Sequence, residues 1–250
     1  MHLTWLDSNS WLIEIAQKRI LLDPWLVGSL VFGNLTWLFK GEKRTQRSIP
    51  DHLDLILLSQ GLEDHSHPPT LEKLDHEIPV IASPNAAKVC EQLEYTKITT
   101  LKHGESFLLD EQLEIKAVPG STVGLNLVEN GYLIKDLQSD ESIYYEPHGC
   151  HSPELKKEAP IKVIITPLVA LKIPLLGSVI NGKKEALEVC QWLKPKIILP
   201  TANGGDIDFQ GILINLLQTE GTIDDFRNLL TDNNLNIQVI EPHPGELLTL

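Results

Sequence analysis

Leu55-Ile56-Leu57-Leu58-Ser59-Gln60-Gly61-Leu62-Glu63-Asp64-His65 is the stretch whose reading decides the fold. Four consecutive apolar residues suit a strand buried on both faces, because a half-exposed strand would alternate apolar with polar. The polar loop from Ser59 to Pro69 follows at the strand's carboxyl end. Beyond it the pattern predicts a short helix over Thr70–Leu74, a strand over Val80–Ala82 and a helix over Asn85–Leu93. Ser83 near the start of that helix and Pro84 in its first turn form a sound N-terminal signature.

Working back from Leu55, the first 23 residues read as three short strands, Leu3–Leu6, Trp11–Ile15 and Arg19–Leu22. The polar turn Ala16-Gln17-Lys18 joins the last two, and Asp23-Pro24 ends the third because proline removes a ladder donor. Trp25 to Phe39 is an apolar stretch broken by Gly28 and Gly33. It reads as a loop or short helix folded onto the core, or else as a lid or contact surface.

Working forward, strands are predicted around Ser106–Leu109, Leu113–Val118, Leu125–Val128 and Tyr132–Ile134, with Asn130-Gly131 as a turn between the last two. Ser142–Tyr145, Val163–Thr166 and Ile197–Leu199 read as short buried strands. Lys183–Leu193 and Ile223–Leu230 read as helices, and strands are expected near Ile237–Ile240 and Leu247–Leu250. Two sheets packed face to face with helices outside account for this order, in one domain over residues 1–250.

The formal net charge is −13, from 21 basic and 34 acidic residues, and it repels a phosphate backbone. Nucleic acid is therefore not an expected partner. The run Lys40, Lys43, Arg44, Arg47 is short and interrupted, and reads as a solvated loop. Cys90, Cys150 and Cys190 show no paired spacing, which suits a reducing cytoplasm. No apolar run reaches the ~18 residues of a membrane-spanning helix.

The openings Leu3-Thr4-Trp5-Leu6 and Trp11-Leu12-Ile13-Glu14, then Arg19 through Leu26, resemble the start of metallo-β-lactamase-fold hydrolases of the lactonase-like branch. Leu55 to Ser59 leading into Asp64-His65 resembles the strand before that family's metal loop. The likeness runs through most of the chain and looks closest to members from cyanobacteria and plastids with similarly altered loops. It implies an α/β fold, the four-layer αββα sandwich, with the active site at one edge of two sheets.

The family's motif is His-x-His-x-Asp-His, which holds two zinc ions that acidify a shared water. Here Gln60 and Leu62 stand where its first two histidines belong. Leucine offers zinc no donor, and glutamine is a poor one. The third histidine falls near Ser121, the bridging aspartate at His148 and the last histidine near Ala202. A standard dinuclear centre is not expected.

The resemblance leaves one position, with Asp64, His65 and His148 as ligands and water as the fourth. His67 and His151 are candidate replacements or supporting partners. Glu146 or Glu63 is the candidate base, with Asp64 beside it. The cofactor expected there is one divalent metal, zinc first and manganese or iron next; none is expected if the loop merely hydrogen-bonds itself together. Cys150 and Ser59, Ser121 or Thr122 are weaker nucleophile candidates, since no third orienting group and no Gly-x-Ser-x-Gly elbow accompany them. Two functions remain open: a hydrolase of an ester, lactone or phosphoester, and a non-catalytic module binding a small molecule or protein through Trp25–Phe39. An exposed aromatic loop there would favour a homodimer.

Overall fold

The computed structural model describes residues 1–123, 127–139, 141–175 and 177–250. The chain divides into two compact units, one of residues 1–102, 204–216 and 242–250, the other of residues 103–203 and 217–241.

The first unit is built on a seven-stranded sheet in the order Leu247–Thr249, His2–Trp5, Trp11–Ile15, Lys18–Leu22, Leu55–Leu58, Val80–Ala82, Ile98–Thr100. The four strands nearest the termini meander antiparallel, and the rest run parallel from Lys18–Leu22 onward. All four residues of Leu55–Leu58 are buried, as their unbroken apolarity requires. Helix Pro84–Gln92 packs Ala86, Ala87 and Cys90 onto this sheet, and Ser83 caps it by accepting from the Ala86 amide at 3.3 Å. The helix read at Thr70–Leu74 lies slightly earlier, over Pro68–Leu71.

The second unit repeats the plan. Its seven strands run Gln238–Val239, Ile197–Leu199, Val163–Ile165, Ser142–Tyr145, Leu127–Asp136, Leu113–Val123, Ser106–Leu109. Helices Lys183–Leu193 and Ile223–Asp232 bury Ala186, Val189, Cys190, Leu193, Phe226 and Leu230 beside its parallel part.

Asn130-Gly131 is not a turn. Leu127–Asp136 is one strand, with a register shift between Val128 and Asn130 where it pairs with Leu113–Val123. A side chain on Gly131 would meet the Tyr145 carbonyl oxygen at 3.1 Å, so the glycine serves close strand packing. Leu125, read as part of a strand, lies outside the described residues.

The basic run is also corrected. Lys40–Lys43 is a strand paired with Ile207–Gln210, and the Lys43 side chain is only 4% exposed. Its ammonium meets the fully buried Asp7 carboxylate at 3.4 Å and lies 4.5 Å from the Trp25 ring centroid. Arg47 reaches the same carboxylate at 2.9 Å. Asp7 in turn accepts from the Asp206 amide at 2.8 Å, tying the loop of Gly204 and Gly205 to the first β-turn.

Gly205 has φ +84°, and a Cβ there would collide with the Asp7 carboxylate. Gly205→Ala is therefore expected to cost ~2 kcal/mol through left-handed strain and displacement of this buried acid. Urea denaturation measures it; a loss under ~0.5 kcal/mol would show that the loop relaxes freely.

Candidate functional site

Parallel strands Lys18–Leu22 and Leu55–Leu58 end together, with Leu22 opposite Leu57. Their carboxyl ends deliver Asp23 and Ser59 side by side. Asp23 is wholly buried at φ +43°, an unusual conformation for a non-glycine residue. Its carboxylate accepts from the Ser59 amide at 2.7 Å and from the Ser59 hydroxyl at 2.5 Å. Ser10 steadies the turn, donating to the Asp23 carbonyl at 2.9 Å and accepting from the Trp25 amide at 2.8 Å.

The Asp23 carboxylate also lies 2.7 Å from His65 Nδ1. The other ring nitrogen, Nε2, is 3.2 Å from Asp64 Oδ2. The fully buried imidazole is thus held between two carboxylates. Burial alone would lower its pKa, but Asp64 and then Asp23 more than offset this and raise it to about 10. Asn9 completes the edge, its Nδ2 lying 3.4 Å from both Asp64 Oδ2 and His65 Nε2.

This half of the site suits a metal ion. Two donors ~2.0–2.1 Å from one tetrahedral zinc stand about 3.3 Å apart, close to the Asp64–His65 separation. A carboxylate on the far nitrogen of a ligating histidine is the usual orienting partner, and Asp23 supplies it. A proton on Nε2 and a cation at Nε2 are alternative occupants of the position. The other half of the family motif fits a metal less well: Gln60 is a poor donor for zinc and Leu62 has no donor.

In the second unit His148 follows strand Ser142–Tyr145, and its Nδ1 lies 3.3 Å from the Ser121 hydroxyl. Glu146 is fully buried, and its Oε2 accepts from the His148 amide at 3.1 Å and the Cys150 amide at 2.6 Å. It therefore shapes the loop carrying His148. Asn181 donates to Cys150 Sγ at 3.3 Å. Burial foremost, then Glu146, pushes the Cys150 thiol up to about 11, which argues against a thiolate nucleophile.

His67 and His151 are engaged elsewhere. His67 places Nδ1 3.0 Å from the Thr70 hydroxyl and Nε2 3.2 Å from the Ser29 carbonyl oxygen. His151 places Nδ1 3.0 Å from the Tyr144 hydroxyl, and burial lowers its pKa to about 3. Among the described residues neither belongs to a group of three or more side chains suited to an ion. Glu63 spends Oε1 on the Gly33 amide at 3.0 Å.

Asp23 and Asn9 were not legible as site residues, and Ser59, read as a weak nucleophile candidate, instead donates its hydroxyl to Asp23. Asp-Pro reads as a strand stop. The available signal was topological: two apolar strands each end in a polar residue, and their parallel pairing brings those residues to one edge.

Residues 2–202 match the family model described as the beta-lactamase superfamily domain. The chain belongs to this family. Solved structures agree on the fold, which is the α/β metallo-β-lactamase type expected from the sequence. An isothiocyanate hydrolase from Delia radicum gut bacteria aligns at TM-score 0.70 and 16% identity, over 100% of this chain and 99% of that one. Igni18, a metallo hydrolase of the archaeon Ignicoccus hospitalis, aligns at TM-score 0.69 and 15% identity, over 100% and 97%. A possible metal-dependent hydrolase of Veillonella parvula aligns at TM-score 0.71 and 14% identity, over 100% and 99%. No curated protein matches. Among the described residues no helix of this beta-lactamase superfamily member is long and apolar enough to cross a membrane.

Proposed function

We propose that this protein is a hydrolase of an ester, lactone or phosphoester that uses one divalent cation held by Asp64, His65 and His148. That the two units act as one domain belongs to the same proposal. The observation that carries it is the Asp23–His65–Asp64 arrangement, in which a buried imidazole is oriented by one carboxylate toward another. Ser121 lies at Nδ1 of His148, and in this reading Nε2 of that residue is the ligand atom.

A cation bound there would acidify its water and supply hydroxide near neutral pH. The chain's own residues provide the rest. Asp23 fixes the ring of His65, Glu146 fixes the loop of His148, and the Asn9 amide offers an N–H donor beside Asp64 for a substrate oxygen. Glu146 acts in this scheme as a positioning residue, because its Oε2 is spent on backbone amides.

One observation favours a second reading. The carboxylates around His65 balance its charge without any ion, as a metal-free binding module would require. Metal analysis of protein purified without added metal separates the two. The parent is expected to carry about one equivalent, and Asp64→Ala and His148→Ala less than about one-tenth. Thermal melting of each variant verifies folding. A metal-free parent whose melting temperature is unmoved by zinc or manganese would end the hydrolase proposal.

A further inference from the structure

We infer that Asp7 is a positioning residue for the candidate site. Its carboxylate, clamped by Lys43 and Arg47, holds the turn Asp7-Ser8-Asn9-Ser10 so that the Asn9 amide braces Asp64 and His65. The part a cation plays in this inference rests on the proposed function; the bracing rests on the contacts below. All of these residues lie in the first unit.

The turn joins antiparallel strands His2–Trp5 and Trp11–Ile15. Within it the Leu6 amide donates to the Ser10 carbonyl at 2.8 Å and the Ser10 amide to the Asp7 carbonyl at 2.9 Å. Asp7 has φ +82° and Ser8 φ +51°. Left-handed backbone at successive residues of a hairpin turn is what glycine adopts most readily. In other residues it persists only where surrounding contacts over-determine it, and such places gather at functional sites.

Here side chains hold it. Asp7 is wholly buried. Its Oδ2 accepts from Arg47 Nε at 2.9 Å and lies 3.4 Å from Lys43 Nζ, while Oδ1 accepts from the Asp206 amide at 2.8 Å. Lys43 also donates to the Leu6 carbonyl at 3.2 Å, and the Trp5 indole N–H to the Ser8 carbonyl at 3.0 Å. The chain is thereby fixed on both sides of the strained pair. Glycine at position 7 would relax the backbone but take this carboxylate from two cations.

The clamped turn delivers two groups to the site. Asn9 is buried, with Nδ2 donating to Asp64 Oδ2 at 3.4 Å and lying 3.4 Å from His65 Nε2. The Ser10 hydroxyl donates to the carbonyl of Asp23, the residue at the other nitrogen of the same ring. Contacts of 3.4 Å lie just outside the usual N–H···O range, so a small movement of the turn decides whether the amide engages. Asp7 controls that movement.

The test is a double-mutant cycle on Asp7→Asn and Asn9→Ala. It is read by zinc affinity in chelator competition and by nitrogen–proton correlation spectra of the His65 ring in zinc-free protein. Asn9→Ala is expected to weaken zinc about tenfold or more, and Asp7→Asn by at least about threefold, as loss of a partner to a ligating group does. The double variant should match Asn9→Ala within about twofold, because Asp7 acts through Asn9. Both single variants should move the His65 resonances in the same direction. Arg44→Gln, which breaks only an exposed pair with Asp208, should leave affinity and spectrum as in the parent. If Asp7→Asn does not fold, Arg47→Gln removes one of the two clamping cations and must move the same resonances. Unmoved resonances and parental affinity in Asp7→Asn, or in Arg47→Gln where it stands in, would overturn the inference. So would losses that multiply in the double variant, since Asp7 would then act on the fold at large or through Ser10. Resonances that move together in protein that binds no zinc remove the metal reading and leave the positioning; zinc bound equally by parent and both single variants does the reverse.

Discussion

Asp23→Ala is expected to destabilise the protein by about 3–5 kcal/mol, although Asp23 belongs to no recognisable ligand motif. The carboxylate is wholly buried, and three groups depend on it: the Ser59 amide, the Ser59 hydroxyl and His65 Nδ1. Alanine leaves an amide and an imidazole in the interior without their acceptor. Each loss of that kind costs ~1–3 kcal/mol, and more when the abandoned group is charged. Asp64 remains beside Nε2 and limits the damage. Asp23→Asn separates charge from geometry, since it keeps an acceptor oxygen but removes the negative charge. If His65 is held as an imidazolium, asparagine should recover less than half of the alanine loss. Urea denaturation at neutral pH reads both variants. A loss below ~1 kcal/mol for alanine would mean that water replaces the carboxylate, and that Asp23 orients nothing.

The same residue marks the boundary of what the sequence conveys. Periodicity and end signals sufficed where local rules and tertiary structure agree. Leu55–Leu58 is buried on both faces, and the Ser83-Pro84 start and the helix Lys183–Leu193 appear as read. That Leu62 offers a metal no donor follows from its side chain alone. Asp23 was hidden because its partner His65 is 42 positions away and Asp-Pro already has a sufficient local meaning. Asn130-Gly131 failed for the opposite reason: a strong local turn signal yielded to strand pairing on both sides, with Gly131 opposite Val118 and Tyr132 opposite Tyr145. Lys43 failed because charge in a basic run implies solvent, whereas its burial depends on Asp7, 36 residues earlier.

Lys43 gives the second large effect, a stability that improves with alkalinity when judged against Lys43→Met. Burial is the foremost influence and lowers the ammonium pKa to about 8 from 10.5, outweighing the opposing attraction of Asp7. Arg47 lowers it further and Asp206 raises it. Between those two values the unfolded chain keeps the proton that the folded chain has released. The unfolded state then binds more protons, so stability must rise with pH across about pH 8 to 10.5. Integrated over the window the gain approaches ~3 kcal/mol. Other buried groups act in the opposite sense: burial raises Cys90 and Cys190 to about 12, so their contribution declines as pH climbs above the ordinary thiol value. Lys43→Met shares those groups and keeps a flexible side chain of similar length beside Trp25 without the charge, so subtracting its urea stability isolates the lysine's titration. The difference curve should be level below pH 8, climb through the window and level again above it. Parallel curves would mean that the Asp7 ion pair compensates burial completely, and Lys43 would then be a cation held at no cost to the fold.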